Sequence, residues 1–276
     1  MKYTVGSVPY LNAKPLVRIF EDWGDQSPVK VVYEIPSKLP TLLAKNQAQA
    51  IMVSSIESLR HPNKRIAEGV CIGSQQEVLS VRIFSKVHPE KIQSIALDRS
   101  SMTSNALAKI VLKERHGVDP IAHPMLPNIS DMLAEHDACV LIGDNGMREQ
   151  GEGLHILDLG LEWYYLTDLP FVWAVWLGDE GLTPELATWL ALAELAGHTR
   201  IEQVAADAPG HTGMSFEQCD YYLRRIMHYP MRERELAGLR EFGKLLLEHG
   251  LIEEVFTPTI VSPDFSSAAN FLKSLA

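Results

Sequence analysis

The sequence has few of the residues and patterns that mark familiar cofactor or metal chemistry. Its three cysteines, Cys71, Cys139 and Cys219, are scattered and odd in number. They imply neither a disulfide framework nor a zinc site, and they fit a reducing compartment. Ten histidines are present, none at a metal-ligand spacing. There is no GxGxxG after a strand, no P-loop, no GxSxG elbow and no HExxH. Metal, nucleotide and redox cofactor are therefore not expected, and the expected cofactor set is empty. Positive charge is also short: 25 Lys and Arg stand against 35 Asp and Glu, a formal net charge of −10. That balance argues against nucleic acid and anionic membrane surfaces as partners. No apolar run reaches the length of a membrane span, and the start lacks a basic segment followed by an apolar one. The expectation is a cytoplasmic protein acting on a small molecule, as a monomer or homodimer.

What is present is an α/β pattern. The 276 residues, 46% hydrophobic and 22% charged, suffice for one large domain or two lobes. Strand-like and helix-like stretches alternate through the first two thirds. Strands are expected near residues 5–8, 29–33, 50–53, 71–74, 79–85, 92–97, 138–142, 156–159 and 171–177. Residues 161–169 read as a polar and aromatic loop. From Thr183 the chain turns helical, with helices expected over 184–197, 199–206, 215–228 and 234–249. No linker separates two halves, so two lobes would be joined by extended crossovers, 81–85 going out and 171–177 returning. The first lobe is then expected to hold residues 1–86 plus 173–276, and the second, inserted lobe residues 87–172. Ligands in such folds sit between the lobes, where strands end and helices begin.

Four strand-to-helix turns carry small polar residues: 9–12, 54–55, 100–104 and 143–145. In an acidic chain these neutral donors, with backbone N–H groups at helix starts, suit a small oxygenated anion. The first is Pro9-Tyr10-Leu11-Asn12, with Asn12 placed as a helix N-cap. The second pairs Ser54 with Ser55. The third offers Ser100, Ser101, Thr103 and Ser104. In the fourth, Asp144 can orient a hydroxyl or simply cap a helix. Arg82, in an apolar strand, needs either an acidic partner or a ligand carboxylate. Trp163, Tyr164 and Thr167 can wall a ring-shaped ligand or pack a core.

These stretches resemble the chorismate dehydratases of menaquinone biosynthesis by the futalosine route. The likeness runs through Val8-Pro9-Tyr10-Leu11-Asn12-Ala13-Lys14-Pro15-Leu16, Val53-Ser54-Ser55-Ile56-Glu57 and Ser80-Val81-Arg82-Ile83-Phe84-Ser85. It continues through Leu97-Asp98-Arg99-Ser100-Ser101-Met102-Thr103-Ser104, Leu141-Ile142-Gly143-Asp144 and Asp158 to Tyr164, ending at Thr167 to Val172. The resemblance implies a two-lobed, type II periplasmic-binding-protein-like α/β fold with the ligand cleft between the lobes. It implies loss of water from chorismate to give 3-[(1-carboxyvinyl)oxy]benzoate, without a cofactor. On that basis Asn12 is the expected catalytic residue, either relaying the proton or positioning the substrate's own carboxylate as the base. Pro9, Tyr10, Ser54, Ser55, Arg82, Ser100, Ser101, Thr103, Ser104, Asp144 and Trp163 are the expected substrate contacts. Two other readings stay open: a non-catalytic binding protein of the same fold, and the sister enzyme acting on cyclic dehypoxanthine futalosine.

Overall fold

Short runs rich in Val, Ile and Ala form the strands, because β-branched side chains pack well on a pleated surface. A computed structural model describes residues 2–268. In chain order the strands are β1 (Tyr3–Ser7), β2 (Val29–Tyr33), β3 (Ala50–Ser54), β4 (Arg65–Ser74), β5 (Val81–Ser85) and β6 (Ser94–Asp98). They continue as β7 (Ile121–Met125), β8 (Ala138–Ile142), β9 (His155–Asp158), β10 (Phe171–Gly178), β11 (Met227–Met231) and β12 (Thr259–Val261). The first sheet runs β11-β4-β10-β3-β1-β2, with β12 also pairing with β4, and the second runs β7-β6-β8-β5-β9. The central pairs β1–β2, β1–β3, β6–β7 and β6–β8 are parallel, and β10 and β5 enter their sheets antiparallel. Helices cover the sheets, as parallel pairing requires.

Two helices matter for the site. Thr103–His116 follows β6 and buries Leu107, Ile110, Val111 and Leu112. Pro184–His198 packs on the turn that follows β1, and its Gly197 makes that approach possible: a Cβ there would lie 2.3 Å from the Pro15 carbonyl oxygen.

Several expectations are corrected. Residues 81–85, read as a crossover belonging to the first lobe, form β5, an interior strand of the second sheet paired with both β8 and β9. The sheets are instead joined by residues 75–80 and 168–170. Residues 161–169 are not a loop: Leu159–Thr167 is a helix, because the Asp158 carboxylate accepts the Gly160 and Leu161 N–H groups as its N-cap. The helix expected over 215–228 stops at Ile226, and Met227–Met231 becomes β11, drawn extended by pairing with β4. Residues 269–276, placed in the first lobe from the sequence, lie outside the described residues.

Candidate functional site

An open cleft lies between the sheets. Its walls come from the ends of β1, β3, β6 and β8 and from the 78–81 and 173–174 segments. Its apolar lining includes Met52, Val53, Ile72, Val78, Ile142 and Trp173. Its polar lining is neutral, with Tyr10, Asn12, Ser54, Ser80 and residues of the Ser100–Ser104 turn. No Lys, Arg, His, Asp or Glu lines it among the described residues.

The first wall follows from β1. After Val8 the chain turns at Tyr10 into a 3-10 helix, Leu11–Leu16. Tyr10, not Asn12, takes the cap position, and Asn12 lies inside the turn and lines the cleft. The Asn12 amide oxygen is buried and accepts no hydrogen bond from the described residues. Burial, then the charges of Asp98 and Asp144, push the Tyr10 phenol up.

The second wall is the serine-rich turn after β6, and buried Asp98 shapes it. The Asp98 carboxylate accepts the Ser100 N–H at 2.9 Å and the Ser100 hydroxyl at 2.6 Å, an Asx turn. Asn105 donates its amide to the Asp98 carbonyl at 2.8 Å. The Ser101 hydroxyl oxygen accepts the Ser104 N–H at 3.3 Å, and that of Thr103 accepts the Ile56 N–H at 3.2 Å. A hydroxyl that accepts from the backbone keeps its own proton to donate. Ser101 and Thr103 therefore present O–H donors beside the N-terminus of a fourteen-residue helix, where an anion is favoured.

The third wall is Ser80. It follows Leu79, whose φ of +58° is left-handed. Asp158 holds that conformation, accepting the Val78 N–H at 3.0 Å and the Leu79 N–H at 2.7 Å. Trp173 is placed by an irregularity of β10, whose register with β4 shifts between Val172 and Ala174. Its indole N–H donates to the Ser74 hydroxyl at 3.1 Å.

Of the residues expected from the sequence, Asn12, Tyr10, Ser54, Ser100, Ser101, Thr103 and Ser104 meet in this cleft. Pro9 is exposed and points elsewhere. Ser55 is buried behind the wall, its hydroxyl without a partner among the described residues. Asp144 stands just behind Gly143, burial pushing its carboxyl up while it accepts the Leu11 N–H. Arg82 does not reach the cleft: Nε donates to the Gly146 carbonyl at 2.9 Å and Nη2 to that of Glu149 at 2.6 Å. Trp163 is fully buried, edge-on to Phe171 and Phe242, with its N–H on the Pro170 carbonyl. Ser80 and Trp173 are among the wall residues that were not expected as substrate contacts, together with apolar ones such as Met52, Ile72 and Val78.

The two sheets with a neutral, donor-rich cleft between them define a two-lobed binding-protein-like fold. The periplasmic aliphatic sulphonate binding protein SsuA of Escherichia coli has this fold. It superposes with a TM-score of 0.61 at 14% identity, covering 95% of this chain and 94% of that one. Residues 3–248 match the protein family described as menaquinone biosynthesis, and the chain belongs to that family. Among its relatives are the chorismate dehydratase of Thermus thermophilus, 28% identical over 88% of this chain and 95% of that protein, and the chorismate dehydratase of Campylobacter jejuni, 26% identical over 87% and 95%. No helix among the described residues is long and apolar enough to cross a membrane.

Proposed function

We propose that this chain is a cytoplasmic hydro-lyase that removes water from chorismate to give 3-[(1-carboxyvinyl)oxy]benzoate. The observation that carries the reading is convergence: the separate stretches at 8–12, 53–54, 100–104 and 142–143, on which the resemblance rests, meet at one cleft. The relatives named chorismate dehydratase support it from a second side. The lobes belonging to this reading divide at residues 75–80 and 168–170, so that each sheet falls in one lobe.

The chemistry suits a neutral site. Chorismate loses the proton on C3 and the hydroxyl on C4, and the ring becomes aromatic. The ring carboxylate is conjugated to C3 and spreads the negative charge that develops there. Hydroxide leaves from C4 as water, taking up the proton that the base removed from C3, and the C3–O bond to the enolpyruvyl group stays intact. The protein's task is to hold two carboxylates and align the C3–H and C4–O bonds. The donors of Ser101, Thr103 and Ser80 suit the carboxylates, and the apolar lining, Trp173 among it, suits the ring. With no carboxylate or imidazole on the cleft wall among the described residues and the Tyr10 phenol pushed up by burial, the base is best supplied by the substrate's side-chain carboxylate, with Asn12 orienting the ring at the reacting carbons.

The test is direct. Purified protein incubated with chorismate forms the benzoate product above the no-enzyme control, followed by chromatography with mass detection. Asn12→Ala is expected to lower kcat on the order of a hundredfold, as the loss of an orienting contact in the transition state does. Chorismate recovered unchanged but bound would replace the enzyme reading with that of a binding protein. An Asn12→Ala protein with normal turnover would remove Asn12 from the mechanism.

A further inference from the structure

Behind the cleft, and not on its wall, lies Tyr222. It comes from the segment Tyr222–Ile226, a single widened helical turn of the kind often found at functional sites. The ring is fully buried, and its hydroxyl donates to the Ser80 Oγ at 2.8 Å. The Asn12 amide lies against the same hydroxyl. Tyr222 thus stands between the two cleft residues with most to do, one from each side of the wall.

A phenol has one proton, and here Ser80 receives it. The oxygen of Tyr222 then faces Asn12 only as an acceptor, so Asn12 must turn its NH2 toward it. The Asn12 carbonyl oxygen is left over, buried and without a hydrogen bond among the described residues. Leaving such an oxygen unpaired is costly, and a donor on the ligand would recover that cost. At the other end, the Ser80 oxygen is already an acceptor of the tyrosine proton, so its own O–H is free to point into the cleft. The chain runs one way: Asn12 N–H to Tyr222 O–H to Ser80 O–H to ligand. Consecutive bonds of this kind strengthen one another.

We propose that Tyr222 is a positioning residue that sets the polarity of the cleft, making Ser80 a donor for a substrate carboxylate and the Asn12 carbonyl an acceptor for the substrate's C4 hydroxyl. A carboxylate is repelled by the Asn12 oxygen and a hydroxyl is held by it, so the arrangement fixes which end of chorismate lies where. Burial keeps the phenol protonated, so the relay holds its direction across the working pH range. The inference rests on the dehydratase reading above.

The experiment compares wild type, Tyr222→Phe, Ser80→Ala and the double variant on chorismate. Tyr222→Phe keeps the ring and removes the oxygen. It is expected to lower kcat on the order of tenfold or more, with KM within about threefold and an unchanged circular dichroism spectrum. The double variant is expected to cost little more than the worse single one, because both cut the same chain. Tyr222→Phe within twofold of a working wild type overturns the inference alone, as does a loss confined to KM. Should Tyr222→Phe not fold, Ser80→Ala with wild-type kcat overturns it equally. A wild type that does not convert chorismate overturns the dehydratase reading and this inference with it.

Discussion

Leu79 adopts a backbone conformation that branched and bulky side chains avoid, at a cost of roughly 1–2 kcal/mol. The half-buried Asp158 carboxylate offsets it. It accepts backbone N–H groups from Val78 and Leu79 on one side and from Gly160 and Leu161 on the other. Burial pushes this carboxyl up, and the four N–H groups pull it down. One side chain thus caps a helix and turns Ser80 into the cleft. Asp158→Ala is expected to lower Tm by several degrees, since a lost cap alone costs about 1 kcal/mol. It is also expected to lower kcat/KM, because Ser80 loses its fixed place; thermal unfolding and chorismate turnover check the two together. A variant with lower Tm and normal kcat/KM would show that Ser80 needs no clamp. Residues such as Asn12, Ser54 and Ser101 were legible in the sequence because several strand-to-helix turns of one acidic chain carry small polar residues, although each alone could as well be a cap. Ser80 and Trp173 were not, because one depends on a left-handed neighbour and the other on a register shift, neither of which leaves a pattern in the residues.

Arg82 shows what an element does with a charge inside an apolar strand. It sits on β5 and spends its guanidinium on the carbonyls at the end of Gly143–Arg148, the helix whose first residue lines the cleft. A cation at a helix C-terminus satisfies carbonyls that have no partner within the helix and complements the dipole. The guanidinium also lies over the Phe84 ring. Read from the sequence, the same arginine had either an acidic partner or a ligand; backbone carbonyls, the actual partners, have no signature in the residue order. Arg82→Met keeps the stem and removes the donors. The expected result is a Tm lower by several degrees, as charged hydrogen bonds contribute about 1.5–3 kcal/mol, with KM for chorismate within about threefold of wild type. A KM raised a hundredfold at unchanged Tm would return Arg82 to the substrate. The strands and helices before residue 178 were mostly visible as apolar runs between turns. β11 was hidden, since Met227–Met231 is extended only because β4 offers it an open edge.

At the scale of the molecule, the alternation of strands and helices could be read from the sequence, while the closure of the two sheets on each other could not. Closure rests on a few bonds between residues far apart in the chain. The Ile56 N–H reaches Thr103 across the cleft, His249 meets Glu114 at 2.9 Å beyond it, and the Leu11 N–H reaches Asp144. Asp144 carries a cost for its place. Burial raises its carboxyl above the ordinary value near 3.9, so the unfolded chain gives up that proton more easily than the folded one. Above the raised pKa the ionised form therefore subtracts stability. That penalty fades as pH falls through the folded pKa toward the unfolded one, where both states hold the proton. Asparagine keeps an oxygen for the Leu11 N–H and has no charge to bury. Asp144→Asn is accordingly expected to have a higher Tm than wild type at pH 7, with the gap closing as the pH falls toward 4. If the carboxylate is kept for the substrate, kcat/KM falls in the same variant, so the gain in Tm measures what the cleft gives up in stability to hold a charge beside it. A higher Tm with unchanged turnover would confine Asp144 to closing the cleft, and a lower Tm at pH 7 would mean that the Leu11 contact needs the negative charge.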